Sequence, residues 1–517
     1  MNPLLNPADQ VPVMVIGAGI MGAGIAQVAA QAGHLVWLHD TRPGAAAEAC
    51  SKLAVTLEGL AAKGKLSAAA AQATIARLQP AQSLADAASA VLVIEAIVEK
   101  LEAKRQLLRD LEAVVSASCV LASNTSSISI TALAQGLSHP GRVLGMHFFN
   151  PVPLMKLVEV VSGLQTESAC AEAVLVLAQR WGKTAVHARS TPGFVVNRIA
   201  RPFYAETLAL LQEQAGSPAQ LDACLRAAGF RMGPCELSDL IGHDTNFAVT
   251  ESVYRANFDD RRFTPSLVQR ELVEGGLYGR KSGQGFYDYR AGAPGAALVL
   301  PPVELQAPVL QTGQVTVHGS GAVAQALAHG LSQAGHPVQR LLDSPWIGLA
   351  LGAAQLRLVD GRCADAVAAA EGLTDLAVFD LPVAWLLPVE RRNEAPPALA
   401  FATATRSSAT WPAQAAGWLQ LLGFQPVLLA DAAGLVVART LAMLINEAAD
   451  AVQQGVCTAQ AADLAMKLGV NYPAGPYEWL QAWGASPVVA LLDQLDHHYR
   501  GERYRVSPAL RHAAWNA

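Results

Sequence analysis

Short apolar runs alternate with alanine-rich stretches at the start of the chain. The run Val13–Ile16 is rich in β-branched residues and leads directly into the glycine-rich segment Gly17–Gly22. An alanine-rich stretch continues to Gln31, and a second apolar run within Gly33–Asp40 ends in an acid. Strands favour short β-branched runs, whereas helices favour longer alanine-rich stretches. The pattern predicts strand, turn, helix and strand, which is a βαβ unit with parallel strands.

Further apolar runs with the length of buried strands follow. They are Ala90–Lys100, Cys119–Ala122, Arg142–Pro151 and Leu154–Val161. The first ends in charged residues, the second leads into the polar cluster Ser123–Ser127, and the third contains His147 and Asn150. Since the carboxyl ends of parallel strands face the ligand crevice, we predict a Rossmann sheet with Glu95 and Lys100 at its site. The structural alternative is a strand-end acid paired with a neighbouring base.

The glycine-rich segment has the GxGxxG spacing of dinucleotide-binding turns. Its predicted cofactor-binding positions are Gly17, Gly19, Ile20, Met21 and Gly22. The glycines allow a tight turn, close approach of a pyrophosphate and close packing of helix on strand. Asp40, 18 residues after Gly22, can accept a hydrogen bond from a ribose 2′-hydroxyl and would repel a 2′-phosphate. NAD is therefore the predicted cofactor, and the alternative is a Rossmann-like turn that binds no phosphate.

Glu159 interrupts an otherwise apolar predicted strand, Leu154–Val161. A buried carboxylate is costly unless it is paired, and His147, twelve residues earlier, is the obvious partner. A carboxylate that holds one ring nitrogen of a histidine makes the other nitrogen a competent general base near neutral pH. The pair predicts a base beside the nicotinamide, although a histidine at a strand end can also be purely structural.

Composition limits the other classes of function. The chain has 517 residues, which suits about two to four domains, and charged residues interrupt every window long enough to span a bilayer. Thirty-seven basic against 42 acidic residues, without long charge runs, give no footprint for nucleic acid or an anionic membrane. Seven cysteines without a CxxC pair, and an amino terminus unlike a signal peptide, predict a cytoplasmic protein without a metal site.

The second half repeats features of the first. Val315–Ala324 aligns with Val13–Gly22 at an offset of 302, but Ala324 replaces the third glycine and Leu342 stands where Asp40 predicts an acid. We therefore expect a small structural βαβ module rather than a second NAD site. Ala433–Arg439 parallels Pro192–Arg198 at an offset of 241, with Ala438 in place of Asn197. This predicts a second, non-catalytic helical domain that pairs with the first as an intrachain pseudo-dimer, with further homo-oligomerisation left open.

The predicted organisation is an α/β Rossmann domain and an all-α domain, followed by a degenerate Rossmann-like module and a second helical domain. The corresponding ranges are 10–188 for the NAD-binding domain, 189–290 for the helical domain, 291–314 for a linker rich in Ala, Gly and Pro, 315–425 for the Rossmann-like module and 426–517 for the second helical domain.

Several ordered motifs together resemble the L-3-hydroxyacyl-CoA dehydrogenase family across about residues 10–290. They are Gly17–Gly22, Glu95-Ala96, Ser123–Ser127, His147–Pro153 with Glu159, and Thr191–Arg198. The resemblance implies that His147 is the catalytic base, that Glu159 orients it, and that Ser126 and Asn197 bind the reacting oxygens of an acyl-CoA substrate. The structural alternative for Asn197 is a role as a helix N-cap. The implied NAD contacts are Asp40, Glu95, Lys100, Ser126, Asn150 and Lys281, and Lys63 matches a lysine that touches coenzyme A.

Chain length and the double organisation resemble most the bacterial 3-hydroxyadipyl-CoA dehydrogenases of phenylacetate breakdown. The alternative substrate is 3-hydroxybutyryl-CoA of short-chain fatty acid metabolism, because no residue uniquely marks a distal carboxylate. Arg198 or Arg201 would be candidates for binding one. A catalytically inactive scaffold that binds CoA or NAD is the alternative of another class, and the intact His147 and Glu159 argue against it.

Overall fold

The computed structural model describes residues 11–291, 315–388 and 395–516. All but the first residue of the predicted linker 291–314 lies outside these ranges. The chain divides into two compact units, one comprising residues up to Arg198 together with Gln454–Val470, and the other comprising Ile199–Gln453 and Asn471–Ala517.

The first unit is built on an eight-stranded sheet. Its strands are β1 (Val13–Ile16), β2 (Val36–His39), β3 (Leu78–Pro80), β4 (Leu92–Glu95), β5 (Val120–Ser123), β6 (Val143–Phe148), β7 (Leu157–Ser162) and β8 (Thr184–Arg189). Their order is β3-β2-β1-β4-β5-β6-β7-β8, with β7 antiparallel to β6 and all other neighbours parallel. The chain order reverses between β1 and β4, which is where Rossmann sheets bind dinucleotides. The predicted Rossmann fold is confirmed.

Helices cover this sheet, so its central strands are buried along their whole length. The helices of the first unit, with α7 ending at its boundary, are α1 (Ile20–Gln31), α2 (Ala45–Ala62), α3 (Ala68–Arg77), α4 (Leu101–Glu112), α5 (Ile130–Ala134), α6 (Ser168–Arg180), α7 (Val196–Ile199) and α17 (Ala459–Gly469). An apolar core fills the space between the sheet and α1, α2 and α6. The site residues at the strand ends therefore rest on a rigid base.

Helix α17 comes from the second half of the sequence but packs on β7 and β8 of the first sheet. The amide of Arg189, at the end of β8, donates to the Val456 carbonyl at 2.9 Å. The helix buries a stripe of small and apolar residues, including Ala462, Ala465 and Met466, which suits a face pressed on a sheet. This differs from the predicted arrangement, in which 426–517 forms one separate domain.

The second unit holds most of the remaining helices. They are α8 (Arg201–Gln212), α9 (Pro218–Ala227), α10 (Pro234–Ile241), α11 (His243–Ala256), α12 (Leu267–Glu274), α13 (Gly321–Gln333), α14 (Ala364–Glu371), α15 (Trp411–Leu421), α16 (Val437–Gln453), α18 (Pro476–Trp483), α19 (Ala485–Tyr499) and α20 (Pro508–Trp515). The long helix α16 is buried along nearly its whole length and packs against α8, α18, α19 and α20. It forms the centre of the helical part of this unit.

A second sheet of seven strands belongs to the same unit. Its strands are β9 (Val315–His318), β10 (Val338–Leu341), β11 (Gly348–Leu351), β12 (Ala354–Leu358), β13 (Leu376–Phe379), β14 (Ala398–Thr403) and β15 (Gln425–Leu428). Their order is β10-β9-β11-β12-β13-β14-β15. The predicted parallel βαβ element is present as β9, α13 and β10, but it is part of a larger mixed sheet.

The antiparallel strand β11 lies beside β9, whereas the parallel strand β4 lies beside β1 in the first sheet. At the carboxyl end of β9, the rings of His318 and Trp346 stack with centroids 3.9 Å apart, and the Arg357 guanidinium lies over Trp346 at 4.3 Å. The edge that would receive a cofactor is therefore built differently from that of the first sheet.

Buried ion pairs hold α8 and α16 in a reciprocal pattern. Glu206 of α8 accepts from Arg439 of α16 at 2.6 Å and from Arg503 at 2.9 Å. Glu447 of α16, which lies 241 positions after Glu206, accepts from Arg262 at 3.2 Å. Arg503 likewise lies 241 positions after Arg262. Each helix thus carries a carboxylate held by arginines from the other part of the sequence.

No helix among the described residues is long and apolar enough to cross a membrane. In the same part of the chain, no three His, Cys, Asp or Glu side chains come together as a metal site would require. All seven cysteines are free thiols.

Candidate active site

The glycine turn after β1 has the shape that a dinucleotide requires. Gly17 adopts a φ of +103°, and a Cβ at Gly22 would lie 1.7 Å from the Gly17 carbonyl oxygen, so both positions require glycine. A Cβ at Gly19 would meet nothing within 4 Å in the described part of the chain, which leaves room for a ligand. Among the described residues, no side chain caps α1, so its first amides can serve phosphate oxygens.

Asp40 lies next to this turn, just after the end of β2. Its carboxylate accepts from the Ala18 amide at 2.8 Å and from the Arg42 amide at 2.9 Å. Partial burial by itself would raise the pKa of Asp40, but the hydrogen bonds from Arg42 and Ala18 outweigh it and lower the pKa to about 2. The carboxylate is therefore ionised at any physiological pH and fixed at the rim of the crevice.

The predicted site residues Glu95 and Lys100 lie in different environments. Glu95 is fully buried and bound by Lys104 at 2.8 Å, by Ser123 and by the Ile97 amide. Lys100 is the exposed residue that precedes α4. The structural alternative, an acid paired with a neighbouring base, thus describes Glu95. Glu95 is the last residue of β4, and these partners hold its carboxylate in the buried interior.

Glu99 and Lys104, which the sequence did not single out, form an ion pair after the same strand. Glu99 is part-exposed, lies 3.3 Å from the Lys104 ammonium, and accepts from the Thr125 hydroxyl at 2.5 Å and the Ser126 amide at 3.0 Å. Burial works to raise the pKa of Glu99, but Lys104 and these donors lower it below its usual value. The sequence signal for Lys104 was its position on the buried stripe of α4 with Leu108 and Leu111.

The polar cluster after β5 is fixed in place by these contacts. Glu99 holds the backbone of Ser126 and accepts from the Ser127 hydroxyl at 3.2 Å. The Asn124 side chain accepts from the Phe148 amide at 2.9 Å and so ties the end of β5 to the end of β6. Ser126 is thereby held beside the strand end that carries His147.

His147 and Glu159 lie directly opposite each other in the antiparallel pair β6 and β7. The distance from His147 Nδ1 to Glu159 Oε2 is 2.6 Å, and Glu159 is fully buried. Glu159 Oε1 also accepts from the Val195 amide at 3.1 Å and the Val196 amide at 2.9 Å. In the described part of the chain, Nε2 of His147 has no hydrogen-bond partner. This nitrogen is therefore available to a ligand.

Aromatic rings enclose the imidazole. The centroids of Phe149 and Phe194 lie 4.5 and 5.8 Å from that of His147, both at tilted or edge geometries. His147 is only 6% exposed. Such an environment excludes most water and fixes the ring orientation set by Glu159.

Asn197 is brought near this pair by α7. The helix starts at Val196, whose amide is bound to Glu159, so Asn197 lies within its first turn. A capping residue would precede the first helical residue, so the alternative of Asn197 as an N-cap does not fit. The same carboxylate thus holds both His147 and the start of the segment that carries Asn197.

The remaining predicted residues are more dispersed. Lys63 directly follows α2 on the surface, and Asn150 is exposed just beyond β6. Lys281 belongs to the second unit and pairs with Asp244. Arg198 is buried and donates to Gln454 at 2.8 Å, whereas Arg201 is buried in the second unit beside Thr250 at 3.1 Å.

Comparisons with known proteins match the domains that carry these residues. The model of the 3-hydroxyacyl-CoA dehydrogenase NAD-binding domain matches residues 12–191, and that of the C-terminal domain matches 193–289 and again 434–515. The model of the 3-hydroxybutyryl-CoA dehydrogenase reduced Rossmann-fold domain matches 356–432.

Individual relatives fall into a full-length and a half-length group. The chain is 42% identical over 513 residues to the 3-hydroxyadipyl-CoA dehydrogenase of Escherichia coli K12, covering 97% of each chain. It is 42% identical over 278 residues to a probable 3-hydroxybutyryl-CoA dehydrogenase of Bacillus subtilis, which covers 54% of this chain and 96% of that protein. A crystal structure described as 3-hydroxybutyryl-CoA dehydrogenase from E. coli K12 superposes with a TM-score of 0.86 at 41% identity, covering 98% of both chains.

Family models cover most of the chain, and a relative above 40% identity aligns along nearly all of it. The Rossmann sheet and glycine turn described above are those of an NAD-binding domain. The chain is an NAD-dependent oxidoreductase and belongs to the 3-hydroxyacyl-CoA dehydrogenase family.

Proposed function

We propose that His147 and Glu159 act as a catalytic dyad in the oxidation of an L-3-hydroxyacyl-CoA to the 3-oxoacyl-CoA. The observation that carries the proposal is the 2.6 Å contact between His147 Nδ1 and the buried Glu159 carboxylate. This contact favours the imidazole tautomer with its proton on Nδ1 and leaves the lone pair of Nε2 free. A base with that orientation can take the proton of a substrate hydroxyl.

The residues around the dyad supply the other functions. His147 Nε2 removes the hydroxyl proton as the C3–O bond becomes a carbonyl, and the negative charge of Glu159 stabilises the imidazolium that forms. Ser126 and Asn197 donate hydrogen bonds to the substrate oxygen and hold it toward His147. Lys63 is the proposed contact for the coenzyme A part of the substrate.

The described residues fit NAD at the glycine turn. Gly17, Gly19, Ile20, Met21 and Gly22 form the phosphate cradle, and Asp40 would hold the adenosine ribose. Ser126, Asn150, Lys100 and Lys281 are the proposed contacts toward the nicotinamide side, with Glu99 in place of the fully buried Glu95. When bound, NAD⁺ accepts the hydride that leaves C3.

We propose 3-hydroxyadipyl-CoA as the substrate, in phenylacetate catabolism. The support is the full-length match to a protein named 3-hydroxyadipyl-CoA dehydrogenase. The alternative is 3-hydroxybutyryl-CoA, the substrate in the name of the full-length structural relative. NADH formation followed with each hydroxyacyl-CoA decides between them, and the larger kcat/KM names the substrate. Absence of turnover with both, and with acetoacetyl-CoA plus NADH, would favour a CoA- or NAD-binding scaffold.

We also propose that residues 315–517 are a degenerate duplicate of the first half. In this proposal the helical parts 189–290 and 426–517 form an intrachain pseudo-dimer. The reciprocal pairs Glu206–Arg503 and Glu447–Arg262 support it, because symmetric interfaces repeat each contact. The ranges 10–188, 189–290, 315–425 and 426–517 remain the proposed sequence domains. Seven free thiols fit a cytoplasmic location.

Replacing Asp40 by alanine is expected to raise KM for NAD⁺ about 10- to 100-fold, the value of a hydrogen bond to a charged group. Discrimination against NADP⁺ should fall at the same time. Since its pKa is about 2, Asp40 stays ionised above pH 4 and the effect should not vary between pH 6 and 9. Steady-state kinetics with both cofactors measures this, with Glu48→Ala, in an exposed pair with Lys52, as the control. An unchanged KM would remove Asp40 from the cofactor site.

A further inference from the structure

The segment Gln454–Val470 belongs to the second half of the sequence but packs within the unit that holds His147 and Glu159. Its helix α17 lies against β7, the strand that carries Glu159. The half of the chain without its own dyad therefore contributes directly to the surroundings of the first half's site.

The first contact runs through Arg198. Its guanidinium donates to the Gln454 side-chain oxygen at 2.8 Å, and Arg198 is only 5% exposed. Arg198 is the neighbour of Asn197 in α7, and the start of α7 is bound to Glu159 through the Val196 amide. The short helix is thus held at its start by Glu159 and near its end by Gln454, with Asn197 between the two anchors.

The second contact closes the space beside Glu159. A Cβ on Gly469, at the end of α17, would lie 2.7 Å from Leu157 Cδ2 and 3.0 Å from Val196 Cγ2, so the helix approaches as closely as glycine permits. Cys457 lies in the same segment, where burial, followed by the negative charge of Glu159, raises the pKa of its thiol to about 12. The segment therefore shields Glu159 from water as well as anchoring α7.

An equivalent contact occurs in the second unit, where no His–Glu pair is found among the described residues. Glu213 lies 241 positions before Gln454 and holds Arg439, which lies 241 positions after Arg198, at 3.2 Å. The Ala430 amide donates to the Ala215 carbonyl at 2.9 Å, as the Arg189 amide does to Val456. The residue next to Arg439 is Ala438, where the first half has Asn197. The molecule thus supplies a matched control for the Gln454 contact.

We propose that Gln454 is a positioning residue for the reaction, through which the second half of the chain holds α7, and with it Asn197 and Glu159, in working geometry. The proposal rests on the proposed dyad. Gln454 acts through its contact with Arg198. Its effect passes through Arg198, because a small displacement of a substrate-orienting group can cost a large factor in rate.

Gln454→Ala in the full chain tests this. We expect kcat to fall about 10- to 100-fold while KM for NAD⁺ is unchanged, since the cofactor turn lies on other elements. The acidic limb of the kcat/KM pH profile should move to higher pH. When α7 is displaced, Glu159 loses hydrogen bonds from the amides of that segment, and its negative charge then favours the protonated form of His147 more strongly. Gln454→Glu retains an acceptor for Arg198 and should restore kcat and the pH profile.

Glu213→Ala is the matched control. It removes the equivalent acceptor from Arg439 and should lower thermal stability at least as much as Gln454→Ala, while kcat and the pH profile stay at wild-type values. Equal loss of kcat in both variants would show a general structural effect and overturn the proposal, as would an unchanged kcat and pH profile in Gln454→Ala. An unaltered rate in His147→Gln would instead overturn the proposed dyad, so the two failures are distinguishable.

Discussion

Replacing His147 by glutamine is expected to lower kcat about 10²–10⁴-fold, the usual contribution of a general base. Glutamine has nearly the length of histidine and can still donate to Glu159, so the buried carboxylate keeps a partner and the fold should persist. What is lost is the free nitrogen that accepts the substrate proton. Steady-state oxidation of a 3-hydroxyacyl-CoA gives kcat, and fluorescence titration with NADH checks that cofactor affinity is retained.

His187 provides the control for this variant. It lies on β8 in the same unit, is exposed, and makes a hydrogen bond of 2.8 Å to the Ser162 hydroxyl. His187→Gln should leave kcat within about twofold of wild type, because its exposed side chain lies on the opposite face of the sheet from Glu159. If His147→Gln retained wild-type turnover, His147 would have no part in the reaction and the contact with Glu159 would be structural.

The juxtaposition of His147 and Glu159 was predictable from sequence because two strong local signals agree. A buried acid in an apolar strand, here Glu159, is costly unless it is paired. The preceding predicted strand carries His147 twelve residues earlier, which is close enough for the two to meet if the chain turns back on itself. The structure places the two residues opposite each other in one antiparallel register. The sequence pattern was sufficient to predict this contact because only one nearby residue could pair with the buried acid.

The acids after β4 show where such patterns fail. Glu95 and Glu99 both follow the apolar run, and sequence does not tell which one faces the crevice, because this depends on where the strand ends. The strand ends at Glu95, whose side chain turns to Lys104 beneath the crevice, while the loop carries Glu99 to its edge. The position of the strand end thus determines that Glu95 is buried on Lys104 and that Glu99 lies at the edge of the crevice.

The attachment of α17 to the first sheet was equally inaccessible. The predicted helical character of 426–517 agrees with α17 (Ala459–Gly469), but packing across more than 250 positions leaves no local pattern. The same holds for the second sheet, where only β9, α13 and β10 carry a motif. The strands β11–β15 are short apolar runs whose order is set by tertiary packing.

Glu206→Gln is expected to reduce the free energy of unfolding by about 3–5 kcal/mol, the usual cost of breaking a buried ion pair. Glu206 is fully buried and bound by Arg439, Arg503 and the Tyr504 hydroxyl, at 2.6, 2.9 and 2.9 Å. The amide keeps the volume but removes the charge, so Arg439, which is 1% exposed, remains buried with less compensation. Urea unfolding followed by circular dichroism measures the loss.

The pH dependence of this loss identifies its electrostatic origin. Burial would raise the pKa of Glu206, but Arg503 and Arg439 lower it below the ordinary value of 4.5. The carboxylate therefore stabilises the fold fully above pH 4.5, and its contribution declines as the pH falls toward the lowered pKa. The difference between wild type and Glu206→Gln should be largest at neutral pH and shrink in acid.

Glu274→Gln, in an exposed pair with Arg270, is the control and should change the free energy of unfolding neither at neutral pH nor in acid. Equal stability of Glu206→Gln and wild type at neutral pH would mean that the reciprocal ion pairs do not hold the two helical parts together, and the pseudo-dimer would then have to depend on the apolar faces of α8 and α16 alone.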